Sequence, residues 1–248
     1  MSANLAEAGV LPAFSAYRAL GGGYALLWEQ VQTGRTVHAY LLAGPKGVGK
    51  ATFARTLAAS LFCTDSPKPC GRCDACRRVF TGNEPDVIEV FSDGDKVISI
   101  ERVRSTIAQI SQHSFGGGPR VVLVEPVEKL TPSAQNCLLK SLEDPPSNVI
   151  FFLLAHEPSA LLGTVASRCL NVKLSPWPDR TLTQTLQAMG YGAQRVEALL
   201  PRAGGVIGNA LSMLADEASQ GELLALVEQA LGAQTDADVV TLSTALKD

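Results

Sequence analysis

Residues 44–50 read GPKGVGK, a spacing suited to holding phosphate. Gly44, Gly47 and Gly49, with Pro45 and Val48 between them, let successive backbone N–H groups turn inward around an anion, and Lys50 reaches toward the terminal phosphates of a nucleotide. A glycine-rich turn with no ligand has a similar composition. Here, however, a short apolar β pattern precedes the loop and a helical pattern follows it, which is the context a phosphate loop needs. The next residue departs from the motif. A Ser or Thr after the lysine supplies the hydroxyl that ligates Mg²⁺, whereas Ala51 has only a methyl. Thr52 lies about 100° further round the helix and does not replace that ligand. The expected site is degenerate: Gly44, Pro45, Gly47, Val48, Gly49, Lys50 and Thr52 hold ATP or ADP weakly and no turnover follows.

Phosphoryl transfer also needs a strand that ends in acids, one aimed at the metal and a neighbour that polarises water. Arg120 to Glu125 (RVVLVE) is such a strand, but it continues as Pro126-Val127-Glu128. Glu125 fills the first role imperfectly, and Pro126 has no group for the second. A separate cluster is formed by Cys63, Cys70, Cys73 and Cys76, spaced C-x6-C-x2-C-x2-C. Disulfides are rare in cytosolic chains, and four thiolates match a closed tetrahedral structural Zn²⁺ with no open position for a catalytic water. A redox Cys-x-x-Cys pair competes with that reading; the third and fourth ligands in register favour the metal. Gly71, Arg72 and Arg77 suit tight turns and offset the site's negative charge. The expected task of the metal is to staple an insertion with too little core of its own.

The elements that must position these residues alternate. Amphipathic segments at Ala13–Leu20 and Tyr24–Thr33 precede an apolar strand at Val37–Ala43, and a helix at Ala51–Phe62 follows the phosphate loop. Past the cysteines come a strand (Asp86–Phe91), a helix (Ile100–Ser111), the strand Arg120–Glu125, a helix (Thr131–Leu142), the strand Val149–Ala155 and a last short strand (Cys169–Leu174). Strands alternating with helices of this length predict an α/β fold with a parallel sheet covered on both faces. After Pro176 and Pro178 only helical patterns remain, at Thr181–Met189, Arg195–Arg202, Val206–Ala215 and Glu222–Leu231, so a small all-helical unit is expected from about residue 177.

With 248 residues, 46% of them hydrophobic, the chain can bury a large core. A net charge of −3 argues against a surface coated for nucleic acid. The N-terminus MSANLAEAG lacks a basic region followed by an apolar one, and no apolar run approaches the roughly 18 residues of a membrane span. A cytoplasmic protein without membrane contact is expected. Lys96, Arg102 and Arg104 flank a helix and either touch DNA phosphates or form a solvated face. His38, His113 and His156 are unclustered and carry no chemistry on spacing alone, and Cys137 and Cys169 read as buried small hydrophobes. No paired carboxylates or Ser-His-Asp arrangement suggests a hydrolase.

Three segments are similar to the clamp-loader branch of the AAA+ proteins: TGRTVHAYLLAGPKGVGK (33–50), TPSAQNCLLKSLEDPPSNVIFFLLA (131–155) and ASRC (166–169). With the four-cysteine insert they resemble the bacterial gamma/tau and delta-prime subunits over roughly residues 30–215. The resemblance implies an AAA+ RecA-like parallel-sheet domain over 1–176 with a zinc-binding insert at about 63–80. A small all-helical lid domain over 177–218 would follow, then the start of a helical collar, apparently truncated, over 219–248. It implies work within the DNA polymerase III holoenzyme, where a clamp loader uses ATP to load the sliding clamp during DNA replication. The implied partners are gamma/tau and delta subunits, with primed DNA and the clamp reached through the assembled complex.

That family offers two roles. Gamma/tau motors bind and hydrolyse ATP. The stator form has a degraded nucleotide site but keeps a Ser-Arg-Cys motif whose arginine reaches the ATP of the adjacent subunit. Ala51 and Pro126 depart from the motor pattern, and a third departure lies in GVIGNA (205–210), where Gly208 stands in place of a motor's sensor arginine. Arg168, in ASRC, is intact. Its planar, always-charged fork suits phosphate oxygens supplied by a neighbour; the competing reading is an ordinary strand-edge arginine in a salt bridge. The resemblance therefore implies the stator with no intrinsic ATPase, and the gamma/tau-like motor is the alternative.

Overall fold

The computed structural model describes residues 14–92, 94, 96–111, 114 and 117–216. Helices α1 (Phe14–Ala19) and α2 (Gly22–Gln32) lead into β1 (Ala39–Ala43), followed by α3 (Lys50–Phe62), α4 (Asp74–Phe80) and β2 (Val87–Phe91). Next come α5 (Ile100–Ile110), β3 (Arg120–Glu125), α6 (Pro132–Glu143), β4 (Val149–Ala155), α7 (Gly163–Ala166) and β5 (Leu170–Lys173). Helices α8 (Asp179–Ala188) and α9 (Ala193–Ala203) then precede a further helical stretch at 207–216. The five strands form one sheet in the order β2-β3-β4-β1-β5, parallel at every pairing. The expected α/β architecture is the observed one.

Strand composition explains the layering. Every residue of β4 (VIFFLLA) is buried, as a strand covered on both faces requires. Successive side chains point to opposite faces. Ile150, Phe152 and Leu154 join a core shared with α1–α4, α8 and α9, while Phe151, Leu153 and Ala155 join a second core with α5, α6 and α7. Leu182, Leu186, Val196, Leu199 and Ile207 belong to the first of these cores, so the C-terminal helices are continuous with the sheet's packing.

Local signals set the helix starts. The Thr131 hydroxyl accepts the Ala134 N–H at 3.2 Å, and Pro132 occupies the first helical position of α6, where no N–H is needed. Thr131→Ala is expected to cost about 1 kcal/mol, read as a lower urea midpoint with an unchanged slope. Besides shifts of one or two residues at other element ends, four details differ from the sequence reading. β1 begins at Ala39, leaving Val37 and His38 before it; α4 was not expected; short 3₁₀ turns occupy Val127–Lys129 and Pro158–Ala160; and Cys137 is only half-buried, although Cys169 is buried. The helical pattern at 222–231, residues 219–248 as a whole and His113 lie outside the described residues. Among those described, no helix is long and apolar enough to cross a membrane.

Candidate functional site

The phosphate loop joins the C-terminal end of β1 to α3. Gly49 caps α3 with φ 95°, a left-handed backbone that only glycine adopts at no steric cost. Val48 and Lys50 are buried, while Pro45 and Gly47 are exposed. Lys50 Nζ donates to the carbonyls of Gly44 (2.8 Å) and Pro45 (2.9 Å) and lies 2.7 Å from His156 Nδ1. An ammonium has no acceptor capacity, so while Lys50 is charged Nδ1 acts as the acceptor. Burial and the Lys50 charge both hold the His156 pKa below its usual value. Burial also pushes Lys50 down to about 8, opposed by the carboxylates of Glu125 and Glu128. The Thr52 carbonyl accepts from the Thr56 hydroxyl, and Ala51 occupies the first turn of α3 without a polar group.

Of the acids at and beyond the end of β3, Glu128 is tied into the backbone through one carboxylate oxygen. Glu128 Oε1 accepts the backbone N–H groups of His156 (2.7 Å) and Glu157 (3.1 Å), tying the end of β4 to the turn after β3. Glu125 is raised in pKa by burial, an effect offset by the nearby Lys50 and Arg55 charges. His156, to which spacing assigned nothing, is therefore the link between the loop lysine and this acidic turn. The only signal in the sequence was its place immediately after β4.

The C-terminal helices meet the loop through backbone. Gly208 N–H donates to the Gly47 carbonyl at 2.8 Å, and a Cβ at Gly208 would stand 2.9 Å from both Gly47 Cα and Gly47 O. No side chain fits there without moving helix or loop. Trp177 secures the same junction: its N–H donates to Gly205 O at 2.7 Å and its Nε1 to Val48 O at 3.1 Å. The Tyr24 hydroxyl donates to the same Val48 carbonyl. The Trp177 ring packs edge-on against Tyr17, which with Tyr24 and Phe53 fills the space beside the start of α3.

Arg168 sits at the other end of the sheet. It follows α7 and precedes β5, whose Leu170 pairs with Tyr40 and whose Lys173 pairs with Ala43. Arg168 is therefore level with the start of β1, whereas the phosphate loop leaves its far end, roughly 20 Å away at the rise of a parallel strand. The Arg168 side chain cannot reach its own loop. It lines a shallow cleft of about 600 Å³ with His38, Leu142, Glu143 and Ser167. Its Nη1 donates to Thr164 O at 2.8 Å and its Nη2 pairs with Glu143 Oε1 at 2.5 Å.

The four cysteines converge. Their sulfurs all lie within 4.8 Å of one another, at the far end of α3 from the phosphate loop. Backbone N–H groups point at sulfur from Cys70 to Cys63 (3.3 Å), from Cys73 to Cys70 (3.3 Å) and from Cys76 to Cys73 (3.5 Å). The last of these also caps α4 and, as the largest influence, draws the Cys73 thiol down to about 6. Burial pushes Cys76 strongly up. A tetrahedral ion with metal–sulfur bonds of about 2.3 Å needs sulfurs roughly 3.8 Å apart, and Cys63 and Cys73 stand at 3.9 Å. The group can hold a metal ion.

Comparison with known proteins agrees with this geometry. The chain is 38% identical over 179 residues to the DNA polymerase III subunit delta' of Pseudomonas aeruginosa, covering 70% of this chain and 54% of that one. It is 31% identical over 226 residues to the DNA polymerase III subunit tau of Salmonella typhimurium, covering 87% of this chain and 35% of the other. The chain thus spans about half the length of the delta' relatives it matches. In fold it resembles a DNA polymerase III gamma subunit-related protein of Thermotoga maritima (TM-score 0.52, 20% identity, 87% of this chain and 81% of that one). It also resembles the RuvB Holliday junction branch migration motor of the same organism (TM-score 0.52, 14% identity, 95% and 70%). The family model described as DNA polymerase III, delta subunit, matches residues 23–178. That span is more than half of the chain, which therefore belongs to the DNA polymerase III delta subunit family.

Proposed function

We propose that this chain is a stator, of the delta-prime type, in a DNA polymerase III clamp loader. It supports ATP-dependent loading of the sliding clamp by binding gamma/tau and delta subunits and presenting Arg168 to a neighbour's ATP. The observation that carries this reading is the separation of Arg168 from the chain's own phosphate loop, by the length of β1 and beyond. A guanidinium displayed there serves phosphates that belong to another molecule. On this reading the AAA+ domain runs to residue 176 and its lid follows from 177. Cys63, Cys70, Cys73 and Cys76 hold a structural zinc that pins α4 to the end of α3. Primed DNA and the clamp are engaged by the assembled complex.

The loop itself has lost what hydrolysis needs. Ala51 offers no metal ligand, Pro126 no water-activating acid and Gly208 no sensor arginine. Gly44, Pro45, Gly47, Val48, Gly49, Lys50 and Thr52 retain at most weak affinity for ATP or ADP. The isolated chain is expected to show no ATP turnover above background, and mixing it with motor and delta subunits is expected to give a defined complex by size-exclusion chromatography. The gamma/tau-like motor is the second reading, favoured by the intact Gly49-Lys50 pair and by the match to tau over 226 residues. Motor-like turnover by the isolated chain, abolished by Lys50→Ala, would transfer the assignment to it.

A further inference from the structure

We infer that Glu143 is a positioning residue for Arg168: the last residue of α6 and the Thr164 carbonyl of α7 together hold the guanidinium ready for a phosphate brought by a neighbouring subunit. The inference rests on the trans role of Arg168 proposed above. The geometry is specific. Thr164 O takes Nη1 at 2.8 Å and Glu143 Oε1 takes Nη2 at 2.5 Å, so two points on two helices fix a planar group. Those helices are themselves joined, because Gln135 of α6 accepts the Leu162 N–H at the start of α7 (2.8 Å) while its amide nitrogen donates to Leu130 O (3.3 Å). The buried Val165 and Cys169, whose thiol donates to Val165 O, root the α7 turn in the core beneath Arg168.

An unanchored arginine on a surface turn samples many rotamers, and ordering it when a partner docks opposes binding. Here much of that ordering is done in advance. The clasp uses two of the five guanidinium N–H donors, leaving the others for phosphate oxygens in the cleft that His38 and Ser167 also line. Glu143 and Arg168 side chains are 51% and 35% exposed, so the pair is water-screened. A screened pair of this kind holds a geometry without competing strongly against a triphosphate. The competing possibility, that Glu143 only steadies the end of α6, makes a different prediction.

The test is a double-mutant cycle in the clamp loader assembled with motor and delta subunits, taking the Arg168→Ala complex as the floor for the affected ATP site. Glu143→Ala is expected to lower turnover at that site roughly two- to fivefold, the scale of a half-exposed ion pair, with half-saturating ATP unchanged. Glu143→Gln keeps an acceptor for the guanidinium and should stay within twofold of the parent. Adding Glu143→Ala to Arg168→Ala should change nothing further. The inference is overturned if Glu143→Ala is silent while Arg168→Ala is impaired, or if the two losses add. It is overturned equally if Glu143→Ala acts by lowering the melting temperature or the yield of complex. A silent Arg168→Ala would instead remove the trans reading on which the inference stands, so the two failures are told apart.

Discussion

Arg168→Ala is expected to leave the fold and metal content of this chain intact while impairing ATP turnover and clamp loading by the complex that contains it. The fold should survive because the side chain lies in a shallow cleft, and what it gives up is one backbone hydrogen bond and one water-screened ion pair. Such pairs contribute about 0–1 kcal/mol. The catalytic effect should be far larger at the site it serves. An arginine supplied in trans stabilises charge that develops on the transferring phosphoryl group and is worth about 10³ or more in rate. On the stator reading proposed above only one of several ATP sites loses its arginine, so steady-state turnover should fall in part, and loading more visibly. Lys50→Ala in the same assay should do much less, because the loop it lines already lacks a metal ligand at Ala51 and a sensor arginine at Gly208. That order is the reverse of a motor subunit's. A crippling Lys50→Ala beside a silent Arg168→Ala would end the stator mechanism while leaving the family assignment in place.

Cys73→Ser should lower metal content and stability together. Cys73 is the hinge of its cluster: its sulfur accepts the Cys76 N–H, caps α4 and lies 3.9 Å from Cys63. Serine offers a hard oxygen on a shorter bond, poorly matched to a four-sulfur site. The purified parent should carry about one equivalent of zinc, and the variant little after dialysis. Structural zinc contributes folding free energy directly. A metal held as proposed would stabilise α4 and its approach on a chain that has a large core besides, so the loss should be on the order of a few kcal/mol rather than complete unfolding. Each kcal/mol corresponds to about 2–4 °C in melting temperature for a chain of this size. Chelation of the parent protein should reproduce the shift. Stoichiometric zinc retained by a Cys70/Cys73 double variant would exclude the four-thiolate site.

Particular elements show how far the sequence could be read. β3 and β4 appear with the residue bounds expected of them, because a buried apolar run bracketed by turn residues has one consistent reading in a two-layered α/β fold. The helix α4 was missed: its seven residues (DACRRVF) are too few for periodicity to emerge, and two of the cysteines that flank or enter it speak for metal first. The loop glycines, Lys50 and the four cysteines were legible because their chemistry depends on local spacing. His156 was not, since it stands 106 positions from the lysine it meets, and only the parallel arrangement of β1 and β4 brings the two ends together. Arg168 was open to two readings, a trans phosphate ligand and a salt-bridged arginine. The ion pair with Glu143 is present, and its exposure leaves the other role available.

The contact between Gly208 and Gly47 also decides what position 208 can accept. Three departures from a motor's pattern look in sequence like three separate losses, each reversible by a single substitution. In the fold they are unequal. Threonine at position 51 would supply a hydroxyl in the first turn of α3, beside the core against which Ala51 packs. Arginine at position 208 would place its Cβ 2.9 Å from the Gly47 backbone, so the helix would have to leave the loop before the guanidinium could do anything useful. A side chain at 208 therefore carries a structural cost that a change at 51 does not share through this contact. Main-chain contact of this kind makes position 208 a place where any side chain must first part the helix from the loop.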